Sequence, residues 1–290
     1  MKAGRGLTIA RMVELGRVSR SSFYRFDGAV VRKHDADMDL RDAIQRIALE
    51  WPSYGRPRIT AELRRRGWTV NSKRVYRIMR EDNLLCVRKR KFVVTTDSDH
   101  GRRIYPNRAR ELVLTGIGQL WVADITYIRL LEEFVFLAVI LDGYSRRVIG
   151  WALERTLEDE LTLAALRMAL SRRAIQPGLV HHSDRGSQYA SKDYTDLLKA
   201  HGIEISMSRK GNPWDNAACE SFLKSLKYEE VHRSEYRDLA DARASIHHFL
   251  EQVYNRKRLH SALGYRPPAE FEAGLLMPSH KDAAARQLSL

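Results

Sequence analysis

Trp121-Val122-Ala123-Asp124-Ile125-Thr126-Tyr127-Ile128 is apolar and rich in β-branched residues, and one carboxylate interrupts it. It reads as a buried strand. Close behind comes Phe134-Val135-Phe136-Leu137-Ala138-Val139-Ile140-Leu141, apolar on both faces, as in a sheet covered on both sides. Strands are expected at 120–130, 133–142 and 146–154. A helix is expected at 158–173, with Leu161, Ala164, Ala165, Met168 and Ala169 at core spacing. A strand near 178–183, a helix near 191–201 and a strand near 203–207 follow. Further helices are expected from near Trp214 and over 238–257. Three consecutive strands followed by helix–strand alternation define an α/β fold, a mixed sheet with flanking helices.

Two more acids stand in unusual settings. Asp184 lies in His181-His182-Ser183-Asp184-Arg185-Gly186-Ser187-Gln188-Tyr189, and Glu220 lies in Asn212-Pro213-Trp214-Asp215-Asn216-Ala217-Ala218-Cys219-Glu220-Ser221-Phe222. Carboxylates gathered in a folded core repel one another unless a cation sits between them. Mg²⁺ held by Asp and Glu is the usual machinery for in-line attack on a phosphodiester. Taken singly, Asp124 reads as a hydrogen-bonded core residue and Asp184 as a turn former. Asp215 reads as a cap of the Glu220 helix. His181 and His182 read as structural, with His182 able to touch the site through a water. On the Glu220 helix, Glu220, Lys224 and Lys227 fall within about 60° of one another. Cys219, Phe222, Leu223 and Leu226 take the opposite side. Ordinary Glu–Lys pairing at i,i+4 is the plainer reading of those lysines.

Charge divides the chain. Residues 1–110 hold 27 Lys and Arg against 12 Asp and Glu, whereas residues 111–290 hold 23 against 24. A basic block joined to a balanced one suits an arm for a polyanion attached to an enzyme-like core. Two cysteines, Cys86 and Cys219, suit neither a disulfide framework nor a cysteine-based zinc site. Nothing resembles a signal peptide or an 18-residue apolar run, so a cytoplasmic chain with no membrane partner is expected. Within the basic block, Leu40, Ile44 and Ile47, then Ile59 and Leu63, then Val75, Ile78 and Met79 recur at helical spacing. Helices are expected near 39–50, 58–66 and 72–83, the last capped by Asn71 or Ser72. That is a helix-turn-helix layout, with Lys73, Arg74, Arg77 and Arg80 as candidate DNA contacts on the third helix. Val18 to Arg25 reads as the start of a further small DNA-reading helix.

Ordered motifs then name a family. Trp121 to Tyr127, Leu141-Asp142-Gly143-Tyr144-Ser145-Arg146-Arg147, His182 to Tyr189, Gly211 to Lys227, and Tyr254-Asn255-Arg256 with Leu259-His260-Ser261-Ala262-Leu263-Gly264-Tyr265 resemble the second-reading-frame product of the bacterial insertion-sequence-three family. The resemblance spans roughly residues 15–275. It implies a DDE transposase with a ribonuclease-H-like, integrase-type catalytic core. The positions matching Asp124, Asp184 and Glu220 would be catalytic and would hold two Mg²⁺ ions, with Mn²⁺ as a substitute. Asp124 would bridge both ions, and Asp184 and Glu220 would each complete one site. Asp142 falls outside the metal set in the family pattern. Lys224 and Lys227, with Arg209, Lys210 and the loop to Trp214, would contact DNA.

The expected organisation is a basic segment (1–30), a helix-turn-helix domain (31–85), a basic linker (86–118), the catalytic core (119–232), a C-terminal helix and turn motif (233–275) and a tail (276–290). The implied reaction is DNA cleavage and strand transfer at insertion-sequence ends, in the bacterial cytoplasm at the nucleoid. The implied partners are double-stranded DNA, further copies of the chain, and an upstream reading-frame product as fusion or partner. That product would supply the main end-recognising helix-turn-helix and an oligomerising zipper, since residues 1–118 show no sustained heptads. The alternatives are a helix-turn-helix regulator, which leaves the three acids unexplained, a ribonuclease-H-type nuclease, which leaves the basic arm unexplained, and an inactive transposase copy. The Tyr254 to Tyr265 motif has no role that the residues alone reveal.

Overall fold

A computed structural model describes residues 8–25, 37–85, 103–209 and 216–276. The chain forms two compact units, 1–86 and 87–290.

The first unit holds α1 (Ile9–Leu15), α2 (Arg20–Arg25), α3 (Met38–Glu50), α4 (Arg56–Arg65) and α5 (Ser72–Glu81). The Ser19 hydroxyl accepts the Ser22 N–H at the start of α2. Leu40, Ile44 and Ile47 of α3 meet Ile59 and Leu63 of α4 and Val75, Ile78 and Met79 of α5 in a closed core. The expected apolar positions are thus the buried ones. Asn71 caps α5 by accepting the Lys73 N–H at 2.8 Å. Asp37, 1% exposed, receives both Arg74 and Arg77. Burial pushes the Asp37 carboxyl up, but the Arg77 and Arg74 hydrogen bonds outweigh it and hold the group below its ordinary range.

The second unit is built on five strands, β1 (Leu120–Arg129), β2 (Phe134–Asp142), β3 (Val148–Glu154), β4 (Val180–Ser183) and β5 (Glu204–Met207), in the order β3-β2-β1-β4-β5. The first three run antiparallel, and β4 and β5 join parallel to β1. Trp121, Ala123, Ala138, Ile140 and Ile149 pack on one face beneath α6 (Asp159–Arg172) and α7 (Lys192–Ala200). Val122, Val139, Leu141 and Trp151 pack on the other beneath α8 (Ala217–Glu229) and α9 (Leu239–His248). Gly150 lets α6 lie directly on β3. A Cβ there would stand 2.2 Å from the Ala165 carbonyl oxygen.

One expectation needs correction. The 238–257 helix is not uniform: α9 ends at His248, and Phe249–Tyr254 continues as a π-helical run. Pro268 then opens α10 (Pro268–Leu276). Glu272 of α10, 4% exposed, joins Ser145, Arg147 and Arg173 at 2.6–3.0 Å. Within the expected linker, residues 103–118 follow the core. Ser206 Oγ of β5 accepts the Arg108 N–H at 2.9 Å, and Arg108 pairs with Glu204. The basic run Arg88 to Lys91, Trp214 and Asp215, and the tail from 277 lie outside the described residues.

Candidate active site

β1 is the middle strand, so its centre is walled by β2 and β4. Asp124 shares the face of Val122 two residues before it, which is the face that α8 covers. β4 pairs with β1 in the register Val122↔His182. Continuing two residues along both chains sets Asp184 beside Asp124, just past the carboxyl end of β4. Asp184 Oδ1 accepts the Gly186 N–H at 2.9 Å. A Cβ on Gly186 would stand 3.0 Å from that oxygen, so glycine keeps this turn open.

The third acid arrives on α8. Cys219, Phe222 and Leu226 are buried, in agreement with the helical-wheel reading. At its start, Asn216 Nδ2 donates to the Ala123 carbonyl at 3.0 Å, and the Cys219 thiol lies 3.5 Å from the Val122 carbonyl. The α8 N-terminus is thus tied to the backbone beside Asp124, and Glu220 follows in the first turn.

The electrostatics record this convergence. Burial, the neighbouring Asp184 charge and, more weakly, Glu220 drive the Asp124 carboxyl up to about 7, against the Ile125 N–H and Lys227. Lys227 lies over the Tyr127 ring at 4.9 Å, and burial lowers its ammonium despite Asp124. Lys224 Nζ stands 3.6 Å from Glu220, so the plain i,i+4 pair is formed. Among the described residues no three His, Cys, Asp or Glu side chains are already gathered to hold a metal ion. The donor set nonetheless fits a hard cation: oxygen ligands only, around a half-buried carboxylate.

The other candidates have structural roles. Asp142, 1% exposed, accepts the N–H groups of Gly118, Tyr144 and Ser145 and builds the β2–β3 turn. His181 bonds the Tyr194 hydroxyl at 2.9 Å, and His182 bonds Ser206 at 2.8 Å. Arg209 is exposed at the end of the described stretch, and Lys210 lies outside it. Sequence reasoning missed Tyr189. Its hydroxyl is buried and finds no partner among the described residues, and burial first, then Tyr194, and more weakly Asp124 and Asp184, hold its proton on. Its place in the His181 to Tyr189 motif was the available signal.

A five-stranded mixed sheet covered by helices on both faces, with a basic helix-turn-helix unit before it in the chain, is the architecture of an integrase-core enzyme acting on DNA. Comparisons agree. Residues 115–213 and 201–268 match integrase core domain models, and residues 35–92 match an HTH-like domain model. The chain is 37% identical over 264 residues to the insertion element IS600 31 kDa protein of Shigella sonnei, covering 90% of this chain and 97% of that one. It is 40% identical over 220 residues to transposase InsF for insertion sequence IS3A of Escherichia coli, covering 76% of each. Among solved structures, the BIV integrase catalytic core aligns with a TM-score of 0.40 at 18% identity, over 55% of this chain and 95% of that one. The chain belongs to the insertion-sequence-three family of DDE transposases. Its activity is DNA cleavage and joining, a polynucleotidyl transfer. Among the described residues no helix is long and apolar enough to cross a membrane.

Proposed function

We propose that Asp124, Asp184 and Glu220 are the catalytic carboxylates of this transposase and hold two Mg²⁺ ions, with Mn²⁺ able to substitute. The observation that carries the reading is geometric: β4 pairs with β1 in the register that leads to Asp124 and Asp184, and Asn216 and Cys219 tie the start of the Glu220 helix to the backbone beside Asp124. Divalent cations at such a site activate an attacking oxygen and stabilise the leaving one. The chain's part is to place the acids. β1 and β4 hold Asp124 and Asp184 side by side, and α8 presents Glu220, which would exchange Lys224 for a metal. The substrate is double-stranded DNA, the ends of an insertion sequence and a target. Asp184→Asn is expected to abolish Mg²⁺-dependent cleavage and strand transfer while leaving end binding within about twofold. Equal loss of binding and cleavage would remove Asp184 from the catalytic set.

The helix-turn-helix unit adds DNA contacts to the main end recognition expected of the upstream reading-frame product. Lys73 and Arg80 have no carboxylate partner among the described residues, whereas Asp37 pre-orients Arg74 and Arg77. All four are proposed phosphate or base contacts, with Arg209, Lys210, Lys224 and Lys227 gripping DNA near the acids. Lys73→Ala with Arg80→Ala should weaken end binding and reduce the salt slope by about 2. An unchanged slope would place the DNA elsewhere. Assembly of several copies on DNA, joining with an upstream reading-frame product, and a cytoplasmic, nucleoid-associated location complete the proposal. Strand transfer assayed with and without that product fused on tests the partner.

A further inference from the structure

The Tyr254 to Tyr265 motif left unexplained by the sequence reaches the far end of α8 through Arg258. Asn255, 2% exposed, spends its whole amide on Val148: Oδ1 accepts the N–H at 3.0 Å and Nδ2 donates to the carbonyl at 2.9 Å. This fixes the motif to β3. Three residues on, Arg258 forms a fork of two 2.8 Å hydrogen bonds with Glu229, the last residue of α8. The two side chains are only 4% and 10% exposed. Just before Asn255, the Tyr254 ring meets Phe222 edge-on at 4.9 Å, and Phe222 sits two residues after Glu220.

A buried ion pair is poor value as stabilisation, since packed apolar residues do as well; its better attested use is to fix register. A planar guanidinium gripping a carboxylate through two bonds fixes both distance and orientation. α8 is rigid and about 20 Å long. Its start is held by Asn216 and Cys219 on the β1 backbone, and its end by Arg258. Fixing both ends fixes the rotation of the helix about its axis, and that rotation decides where Glu220 points.

We infer that the Asn255–Arg258 segment is a clamp on α8, and that Arg258, acting through Glu229, is a positioning residue for the Glu220 carboxylate. This rests on the reading of Glu220 as a metal ligand. A loose clamp lets the carboxylate swing, so metal binding weakens while DNA binding through other surfaces persists.

Arg258→Ala alone would strand a buried Glu229 and could simply unfold the chain. The decisive variant is therefore the double Glu229→Leu, Arg258→Met, which leaves no buried charge and keeps the volume. It is expected to melt within a few degrees of the parent and to bind DNA ends normally in Ca²⁺. Its Mn²⁺ affinity, read from the electron-resonance signal of free Mn²⁺, should fall about 10-fold, and its strand transfer at saturating DNA about 10- to 100-fold. Glu272→Gln, which breaks an ion-pair network that does not touch α8, is the control: it should lower the melting temperature and leave Mn²⁺ affinity intact. Unchanged Mn²⁺ affinity and strand transfer in the double variant would overturn the clamp. Glu220→Gln separates the two readings. If it keeps Mn²⁺ affinity and activity, the assignment of Glu220 has failed; if it loses them while the double variant does not, only the clamp has.

Discussion

Asp124→Asn should produce a transposase that is more stable and inert. Strand transfer is expected to fall at least about 10³-fold, the loss of several kcal/mol of transition-state stabilisation. The gain in stability follows from the position of the carboxyl. Its value in the folded chain is about 7, against an ordinary 3.8. Between those pH values the folded chain keeps a proton that the unfolded chain has lost. Stability without divalent cation therefore falls as pH rises from about 4 to about 7, and the full cost is present above 7. That cost is at most about 4 kcal/mol, less whatever partial solvent access screens. Asparagine removes it. In chelator at pH 8 the variant should melt about 5 °C or more above the parent, and the difference should vanish near pH 4. Added Mg²⁺ should raise the melting temperature of the parent and leave that of the variant alone. Residual strand transfer within tenfold of the parent would end the catalytic role of Asp124. A variant less stable at pH 8 would mean that the carboxylate is satisfied where it lies.

The second large effect is purely steric. Gly150→Ala should cost at least about 3 kcal/mol, the upper end of the usual overpacking range. The added methyl would meet the Ala165 carbonyl oxygen at 2.2 Å and the Ala169 nitrogen and Cβ at 3.0 Å. Two of those three atoms are backbone, so no rotamer change relieves the clash. α6 would have to lift from β3, opening the layer formed by Ile149, Leu166 and Ala169. Urea unfolding measures the loss. Gly116→Ala, where a Cβ meets nothing within 4 Å, serves as the comparison. A Gly150→Ala midpoint equal to that of Gly116→Ala would show that α6 stands further from the sheet.

What was legible in the residues follows how local each interaction is. The apolar double-faced run of β2 and the acid-interrupted run of β1 announce a covered sheet because strand burial is written in consecutive residues. The three helices around Ile44, Ile59 and Ile78 are legible through spacing and the Asn71 cap. The acids are different. No one of them is distinguishable from a core or turn residue by itself, and only their order among neighbouring motifs set them apart. Contacts between distant residues left no trace. Nothing near Asp37 announces Arg74 and Arg77, and nothing near Glu229 announces Arg258. The π-helical run Phe249–Tyr254 has ordinary helical composition. The bonds from Asn255 to Val148 lie just beyond it and are invisible locally. The helix opened by Pro268 was readable, since proline suits a first helical turn and Ala269-Glu270-Phe271-Glu272-Ala273 favours a helix, but a proline pair reads more readily as a stop.

The same Asn255 amide has a consequence for life in a crowd. β3 is an outer strand of the sheet, and outer strands offer unpaired N–H and C=O groups to any passing chain. Asn255 occupies both groups of Val148, and Arg243 takes the Leu153 carbonyl at 2.7 Å near the other end of β3. On the opposite rim, residues 108 and 109 lie along β5 through Ser206. Near each end of β3, backbone groups that a second chain would otherwise pair with are thus already taken.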